Sequence, residues 1–534
     1  MDGEGVRKVL ADSGVDARRF RTALALLCEG GWWTLADLVR ETATSRRGVE
    51  SLLREVSPER SVDRFRLTPE QAAACRELLD EDLLNEDLLD EDAEPGPAPA
   101  DPVAHLLPRH AGVVEVLERL IAGAPRGRHV LDHVAATPET VVRRALLLGA
   151  RFWLRDAGVL CVGDHDLTSL AIKLIHPGAD VTVVDVDERI LAYIDEQAGR
   201  LGVTVRTRWA DLRLGLPPSV RERADLAVTD PPYTPEGVGL FVARAVEGLR
   251  DPDRGRVLLA YGASERTPML ALKVQESLHE LNLAYEAMYP DFNRYFGAEA
   301  IGSAADLYVL RPTTKTRPAV AARADRYGTA IYTKGPQSVE SRPADAGPAL
   351  PEGFEPGVLV GDWPKGLSPR VPRARLSTWL AKPYAAAPER VAVAVPAGME
   401  AALPRLLLAT RAGHVRVSLA GPPDDLAGLT ALLSPVYRIT AEGPVLDAVR
   451  TDPARDAPGR LLRAILDHAH GKLANTWREG LTRADTGLTK RQAREIVTRV
   501  APWADDVTVL ELPAHRLRDL PAAVTASLSA GVQE

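Results

Sequence analysis

A chain of 534 residues exceeds what one hydrophobic core serves, so roughly two to four domains are expected. Its 45% hydrophobic and 26% charged residues are those of a globular protein, and a net charge of −8 argues against a dedicated nucleic-acid binder while permitting a cationic small ligand. Cys28, Cys75 and Cys161 show no metal or disulfide spacing, and neither an apolar signal core nor a run of about 18 apolar residues occurs, so the chain reads as cytoplasmic.

In chain order, residues 1–75 have the layout of a winged helix-turn-helix. "VRKVLADSGV" and "ARRFRTALALLCEG" have helical periodicity. "TLADLVRETATSRRGVESLLREV" reads as helix, turn, helix, with Thr34 and Ser45 as N-caps, and "SVDRFRLTPEQ" as a short wing. The recognition segment mixes Arg46, Arg47 and Arg54 with Glu50 and Glu55, a face suited to packing or dimerisation as much as to DNA. Residues 76–105 read as a linker, in which an acidic Leu-Leu-Asn/Asp-Glu-Asp repeat runs into a Pro/Ala tract.

Residues 106–315 open with a helix over "TPETVVRRALLLGARF", with Thr137 as N-cap and Pro138 at the first helical position. Strands at "GVLCVG", "DVTVVDVD", "VTVRTRWADL", "ADLAVTDPPY" and "GRVLLAYG" then alternate with helices. That rhythm predicts an α/β fold with a Rossmann-like, doubly wound parallel sheet and ligands at the carboxyl ends of the strands. Residues 316–375 read as an irregular linker rich in Pro, Gly and Arg. Residues 376–534 read as an additional α/β module with a polar helical tail. There His468 and His470, two apart, fall on different helix faces, which argues against a metal site.

The strand ends carry the chemistry. "VLCVGDHDLTSLAIKL" takes an apolar strand through Gly163 into Asp164, His165 and Asp166, acids where a phosphate-binding turn would have none. Asp185 ends the second strand some twenty residues on, placed to accept hydrogen bonds from a ribose diol. Asp211, with Leu212 beside it, follows the third strand and suits an adenine amino group. Without G-x-G-x-x-G, the ligand reads as a nucleoside lacking pyrophosphate, and the acids favour a cationic one. S-adenosylmethionine and its decarboxylated form carry a cationic sulfonium. After the fourth strand, Asp230-Pro231-Pro232-Tyr233 fixes an extended, donor-free backbone whose carbonyls and carboxylate converge on one spot. The tyrosine ring can pack on a planar group or a cation. Such a corner holds an amine nucleophile.

Taken together, "GDHDLTSLA", "VTVVDVDERIL", "ADLR", "TDPPYT" and "FNRYFGAEAIGSAADLYVL" resemble the branched-chain polyamine synthases, over roughly residues 1–315. These are the N4-bis(aminopropyl)spermidine synthases of thermophilic bacteria and archaea. The resemblance implies a class I methyltransferase-type fold and a homodimer. It implies transfer of the aminopropyl group of decarboxylated S-adenosylmethionine, a co-substrate rather than a tightly bound cofactor, to the internal amine of spermidine, releasing methylthioadenosine. The family's Gly-Asp-Asp-Asp motif puts its first Asp, taken as catalytic, at Asp164, and its Pro-Pro-Tyr segment at Pro231-Pro232-Tyr233.

On this reading Asp164, Asp166, Asp230 and Tyr233 are the catalytic candidates. Gly163, Asp164, Asp185, Asp211, Leu212 and Pro231 hold the donor. His165, Asp166, Pro232, Tyr233 and Glu299 hold the acceptor, and no metal is required. His165 replaces the family's middle acid. It removes a counter-charge from a polycation site, serves as a proton acceptor near neutral pH, or points away. Two rival readings remain: an S-adenosylmethionine-dependent amino methyltransferase or 3-amino-3-carboxypropyltransferase, and a polyamine-sensing winged-helix regulator.

Overall fold

Burial on both faces accounts for the nearly unbroken apolar strands at the centre of the protein. The computed structural model describes residues 3–13, 17–86, 101–264, 266–323, 328, 330–340, 348, 350, 353–484 and 487–531. Its largest sheet contains β1 (Gly158–Val162), β2 (Asp180–Asp185), β3 (Val205–Trp209), β4 (Leu226–Thr229), β5 (Arg256–Tyr261), β6 (Leu283–Arg294) and β7 (Ala304–Pro312). The spatial order is β3-β2-β1-β4-β5-β7-β6. The first five strands are parallel. The five strands expected from the sequence thus form the parallel part, and beyond them β7 runs antiparallel to both β5 and β6. The β6–β7 hairpin needs no helical crossover, so it can close the sheet within a short stretch of chain.

Helices Thr168–Ile175, Glu188–Leu201 and Pro235–Gly248 connect parallel strands, and Pro268–Glu280 leads from β5 to the edge strand β6. Local chemistry sets where the site-bearing helices begin. Thr137 accepts from the Thr140 N–H and Pro138 opens the helix Pro138–Arg151; Thr234 accepts from the Gly237 N–H and Pro235 opens the next. The turn after β1 needs left-handed backbone at Gly163 (φ 73°) and at Leu167 (φ 63°) before helix Thr168–Ile175 starts. Because β1 lies between β2 and β4, the chain leaves it in opposite directions, and a crevice opens over the carboxyl ends of these strands.

At the N-terminal end, helices Gly3–Asp12, Ala17–Cys28, Leu35–Thr42 and Arg46–Val56 pack around a small antiparallel sheet of Trp33–Thr34, Glu59–Ser61 and Arg64–Arg66. Thr34 and Ser45 cap the last two of these helices by accepting from Asp37 N and Gly48 N. Helix Pro69–Glu86 runs into the stretch expected to be linker, since its Leu- and Glu-rich repeat is a good helix former; residues 87–100 lie outside the described residues. The N-terminal unit docks on the central one. Arg19 joins the Ala43 carbonyl (2.6 Å) to Asp291 (2.9 Å), and the Ala43 backbone sits where a Cβ on Gly302 would lie 2.7 Å away.

The segment expected to be an irregular linker contributes real structure. It holds helix Thr316–Arg323 and strands β8 (Val358–Val360) and β9 (Arg373–Ala374). These strands join β10 (Arg390–Ala394), β11 (His414–Ser418), β12 (Tyr437–Glu442) and β13 (Val445–Arg450) in a second sheet ordered β9-β8-β10-β11-β13-β12. Helices Ala457–Leu466, Leu473–Ala484, Lys490–Val500 and Ala514–Gly531 complete the C-terminal part. Arg405 ties it to the central sheet: the guanidinium is buried, pairs with Glu188 (2.6 Å), donates to the Leu512 carbonyl (2.6 Å) and lies 4.2 Å from the Trp209 ring centroid. His470 contacts the Trp379 carbonyl (3.1 Å) and His468 the Ala464 carbonyl (2.8 Å). Among the described residues no helix is long and apolar enough to cross a membrane.

Candidate active site

A cavity of about 810 Å³ opens over the carboxyl ends of β1 to β4, large enough for a nucleoside with an attached chain. Gly163, Asp164, His165, Asp166, Asp185, Asp211, Leu212, Asp230, Pro231, Pro232 and Tyr233 all line it. Eleven of the twelve residues singled out in the sequence therefore meet in one place. Glu299 does not line it. Its neighbours Ala298, Ala300 and Ile301 do, while the Glu299 carboxylate turns to Arg46 of the N-terminal unit (2.6 Å). Glu299 is thus part of the docking surface, not of an acceptor subsite.

Asp164 is buried (4% exposed), and both carboxylate oxygens accept from the Ser169 N–H (3.1 and 3.3 Å). Burial pushes its carboxyl up to about 8, and the nearby charges of Asp166 and Asp185 add to the rise against the Ser169 hydrogen bond. Its own N–H donates to Asp185 Oδ2 (3.0 Å), so the turn after β1 is built on the acid that ends β2. Asp185 also accepts from Asp187 N (2.8 Å), and burial pushes it up to about 6. Among the described residues, these two site acids have no cationic side chain paired to them.

The other acids are neutralised in place. Asp187 is held by Arg189 (2.6 Å). Asp211 accepts from the Arg213 Nε (2.8 Å), Nη2 (2.7 Å) and backbone N (3.0 Å), so both of its oxygens are already engaged. One lone pair, on Oδ2, is left for a further donor such as an adenine amino group. Asp166 and Asp230 share one counter-ion, Arg144, which is 2% exposed. Its Nη1 donates to Asp166 Oδ2 (2.8 Å), its Nη2 to Asp230 Oδ2 (2.6 Å) and its Nε to Asn293 Oδ1 (2.8 Å). Asp166 further accepts from Ala136 N (2.8 Å). Asp230 further accepts from the Tyr233 hydroxyl (3.0 Å) and the Tyr295 hydroxyl (2.8 Å), and the two hydroxyls lie 3.0 Å apart. Burial, opposed by Arg144, leaves Asp230 pushed up to about 6.

Every oxygen in this buried knot is satisfied, so it positions Tyr233 and the Pro231-Pro232 backbone with little freedom. The Pro232 carbonyl, expected to face a substrate, accepts from Thr234 N inside the turn (2.8 Å). His165 does not point away. Its ring stacks on His133 at 4.4 Å between centroids, and burial pushes both imidazoles down, His133 to about 3. Arg144, Tyr295, Asn293 and His133 escaped the sequence reading. Arg144 stands beside Arg143 in the helix, a pair of cations among apolar residues, and nothing in the sequence says which of the two turns inward or names its partners.

Seven strands in this order, the seventh antiparallel, with carboxylates ending the first two, define a class I methyltransferase-type Rossmann-like domain. The comparisons narrow it further. Residues 113–321 match the family described as the branched-chain polyamine synthase A C-terminal domain, so the resemblance drawn from the motifs is borne out over that span. An uncharacterized protein of Methanocaldococcus jannaschii is 38% identical over 174 residues, 32% of this chain and 43% of that protein. The N(4)-bis(aminopropyl)spermidine synthase of the same organism is 29% identical over 193 residues, 35% of this chain and 54% of that protein. The release factor glutamine methyltransferase of Bordetella pertussis is 32% identical over 133 residues, 22% of this chain and 48% of that protein. The chain thus spans about half, or less, of the length of the curated relatives it matches. Among solved structures, the branched-chain polyamine synthase from Thermus thermophilus, in complex with N4-aminopropylspermidine and 5′-methylthioadenosine, is 20% identical. The match covers 58% of this chain and 93% of that one, with a TM-score of 0.39.

Proposed function

We propose that the protein transfers the aminopropyl group of decarboxylated S-adenosylmethionine to an amine of a spermidine-like polyamine, releasing methylthioadenosine. One observation carries this reading. The cavity holds two buried carboxyls without cationic partners: Asp164 on the turn after β1, where a phosphate site would carry no acid, and Asp185 at the end of β2. A ligand with a cationic centre compensates the first, and a ribose diol donates to the second. The name of the M. jannaschii relative and the family matched by residues 113–321 point the same way.

In the proposed step the nitrogen lone pair attacks the carbon beside the sulfonium. The C–N bond forms, the C–S bond breaks, and its electron pair leaves on sulfur as a neutral thioether. The proton on the attacking nitrogen goes to the Asp164 carboxylate. A carboxyl raised to about 8 is far closer to an alkylammonium in acidity than an ordinary carboxyl, which makes it a stronger base for this proton. Asp185 takes the ribose. The Arg144 knot fixes Tyr233 and the Pro-Pro backbone as the wall against which nitrogen, carbon and sulfur line up, and such alignment is worth a large part of the barrier.

Amino methyl transfer is the second reading, favoured by the partial likeness to a glutamine methyltransferase. Against it, the Asp230 side chain is consumed by Arg144, Tyr233 and Tyr295, which leaves it little capacity to hold a planar amide. Mass spectrometry of the full chain incubated with spermidine and each donor tests both. A mass gain of one or two aminopropyl units with the decarboxylated donor alone supports the proposal. A methylated or aminocarboxypropylated product from S-adenosylmethionine replaces it.

A further inference from the structure

The cavity has one wall from outside the family-matched span. Residues 331–339 form a tight turn in which Ile331 N and Tyr332 N both donate to the Gln337 carbonyl (3.0 and 3.1 Å) and Val339 N donates to the Tyr332 carbonyl (3.0 Å). Three anchors fix its place. The Thr234 hydroxyl, next to the Asp-Pro-Pro-Tyr corner, donates to the Ile331 carbonyl (2.7 Å). Gly237 makes room for this approach, since a Cβ there would lie 2.9 Å from the same oxygen. On the opposite side Thr333 N donates to Asp132 (2.7 Å). From behind, the Gln337 amide donates to the Ala397 carbonyl of the C-terminal part, and the next carbonyl there, Gly398, accepts from Arg213 Nη2 (3.0 Å).

These anchors deliver one aromatic side chain to the cavity. Tyr332 is 5% exposed and lines it, with its ring centroid 5.7 Å from the guanidinium of Arg213, the residue that clamps Asp211. Burial and the charges of Asp211 and Asp185 push its phenol up against the pull of Arg213. The ring therefore stands at the Arg213–Asp211 end of the cavity, past the end of β3. We infer that Tyr332 is a positioning residue for the nucleoside half of the donor, and that the C-terminal part holds it there through Gln337 and the Gly398–Arg213 contact. The inference rests on the proposed function and deepens it. It gives the C-terminal extension a role in donor binding. With Asp211 held in place by Arg213, the base end of the cavity is shaped by a ring as well as by an acceptor.

The test is calorimetric titration of the full chain with 5′-methylthioadenosine, with the KM of spermidine measured in parallel. Tyr332→Ala is expected to weaken methylthioadenosine binding about tenfold or more, the loss typical of one base–aromatic contact. Tyr332→Phe should stay within about threefold of the unaltered protein because it keeps the ring. Gln337→Ala, whose side chain lies outside the cavity, should weaken methylthioadenosine binding by about threefold, while the spermidine KM stays unchanged in all three. Unaltered binding in Tyr332→Ala, or in Gln337→Ala should the first variant fail to fold, overturns the inference and leaves the proposed reaction standing. A Tyr332→Phe variant as weak as Tyr332→Ala, or an equal loss toward spermidine, also overturns it. Failure of the unaltered protein to bind methylthioadenosine overturns both.

Discussion

Asp164→Asn isolates the electrostatics on which the proposed chemistry depends. A carboxyl raised from its ordinary 3.8 to about 8 binds its proton more tightly in the folded than in the unfolded chain. The sign follows: the contribution is neutral below about pH 4, where both states are protonated, and destabilises progressively as pH rises to about 8. Each pH unit across that window costs about 1.4 kcal/mol, so the folded protein gives up about 6 kcal/mol once pH is above 8. Asparagine has nearly the same shape, still offers an oxygen to the Ser169 N–H, and carries no charge. The thermal midpoint of Asp164→Asn should match that of the unaltered protein below about pH 4, exceed it increasingly up to about pH 8 and level off above. Spermidine with methylthioadenosine should narrow the gap, because a bound ammonium compensates the carboxylate. Turnover should fall by about 100-fold or more if Asp164 receives the proton. A gap that stays constant with pH would refute the buried, uncompensated carboxyl, and unimpaired turnover would refute its role as base.

Three further changes probe the surroundings. Arg144→Met leaves Asp166 and Asp230 buried without a counter-ion, so it should destabilise the protein by about 3–5 kcal/mol, read as a lowered denaturation midpoint; Asp230→Asn in the same chain should recover part of the loss. Glu299→Gln cuts the ion pair to Arg46 at a partly exposed site and should shift stability by less than about 1 kcal/mol. Its spermidine KM should stay within about twofold, whereas a large rise would return Glu299 to the acceptor site. His165→Asp restores the acid of the related family opposite His133 and should lower the KM for spermidine-type polycations; an unchanged KM would show that this end of the cavity meets no ammonium.

Much of the central architecture was legible because its signals are local. Strand-length apolar runs with a glycine or acid at their ends predict buried parallel strands, and ligand groups must then collect where those strands stop. Asp164, Asp185 and Asp230 were found by position alone, and Thr137 and Thr234 stand at helix starts for reasons of backbone hydrogen bonding. Where a signal is weak the reading failed. β8 and β9 are strands of three and two residues whose identity depends on neighbours supplied from farther along the chain. Helix Pro69–Glu86 was hidden by its acidic repeat, which reads equally as a solvated spacer.

The sequence by itself determined which strand-end groups reach the crevice, since strand ends and turn residues are set within a few positions of one another. Only the tertiary structure decided the state of those groups. It brings Arg144 across 22 and 86 residues to Asp166 and Asp230, turns Glu299 to Arg46 across 253, and carries Tyr332 from an unremarked segment to the Arg213–Asp211 end of the cavity. Charge compensation in a buried site acts through space over a few ångströms, and chain separation says nothing about it until the fold closes.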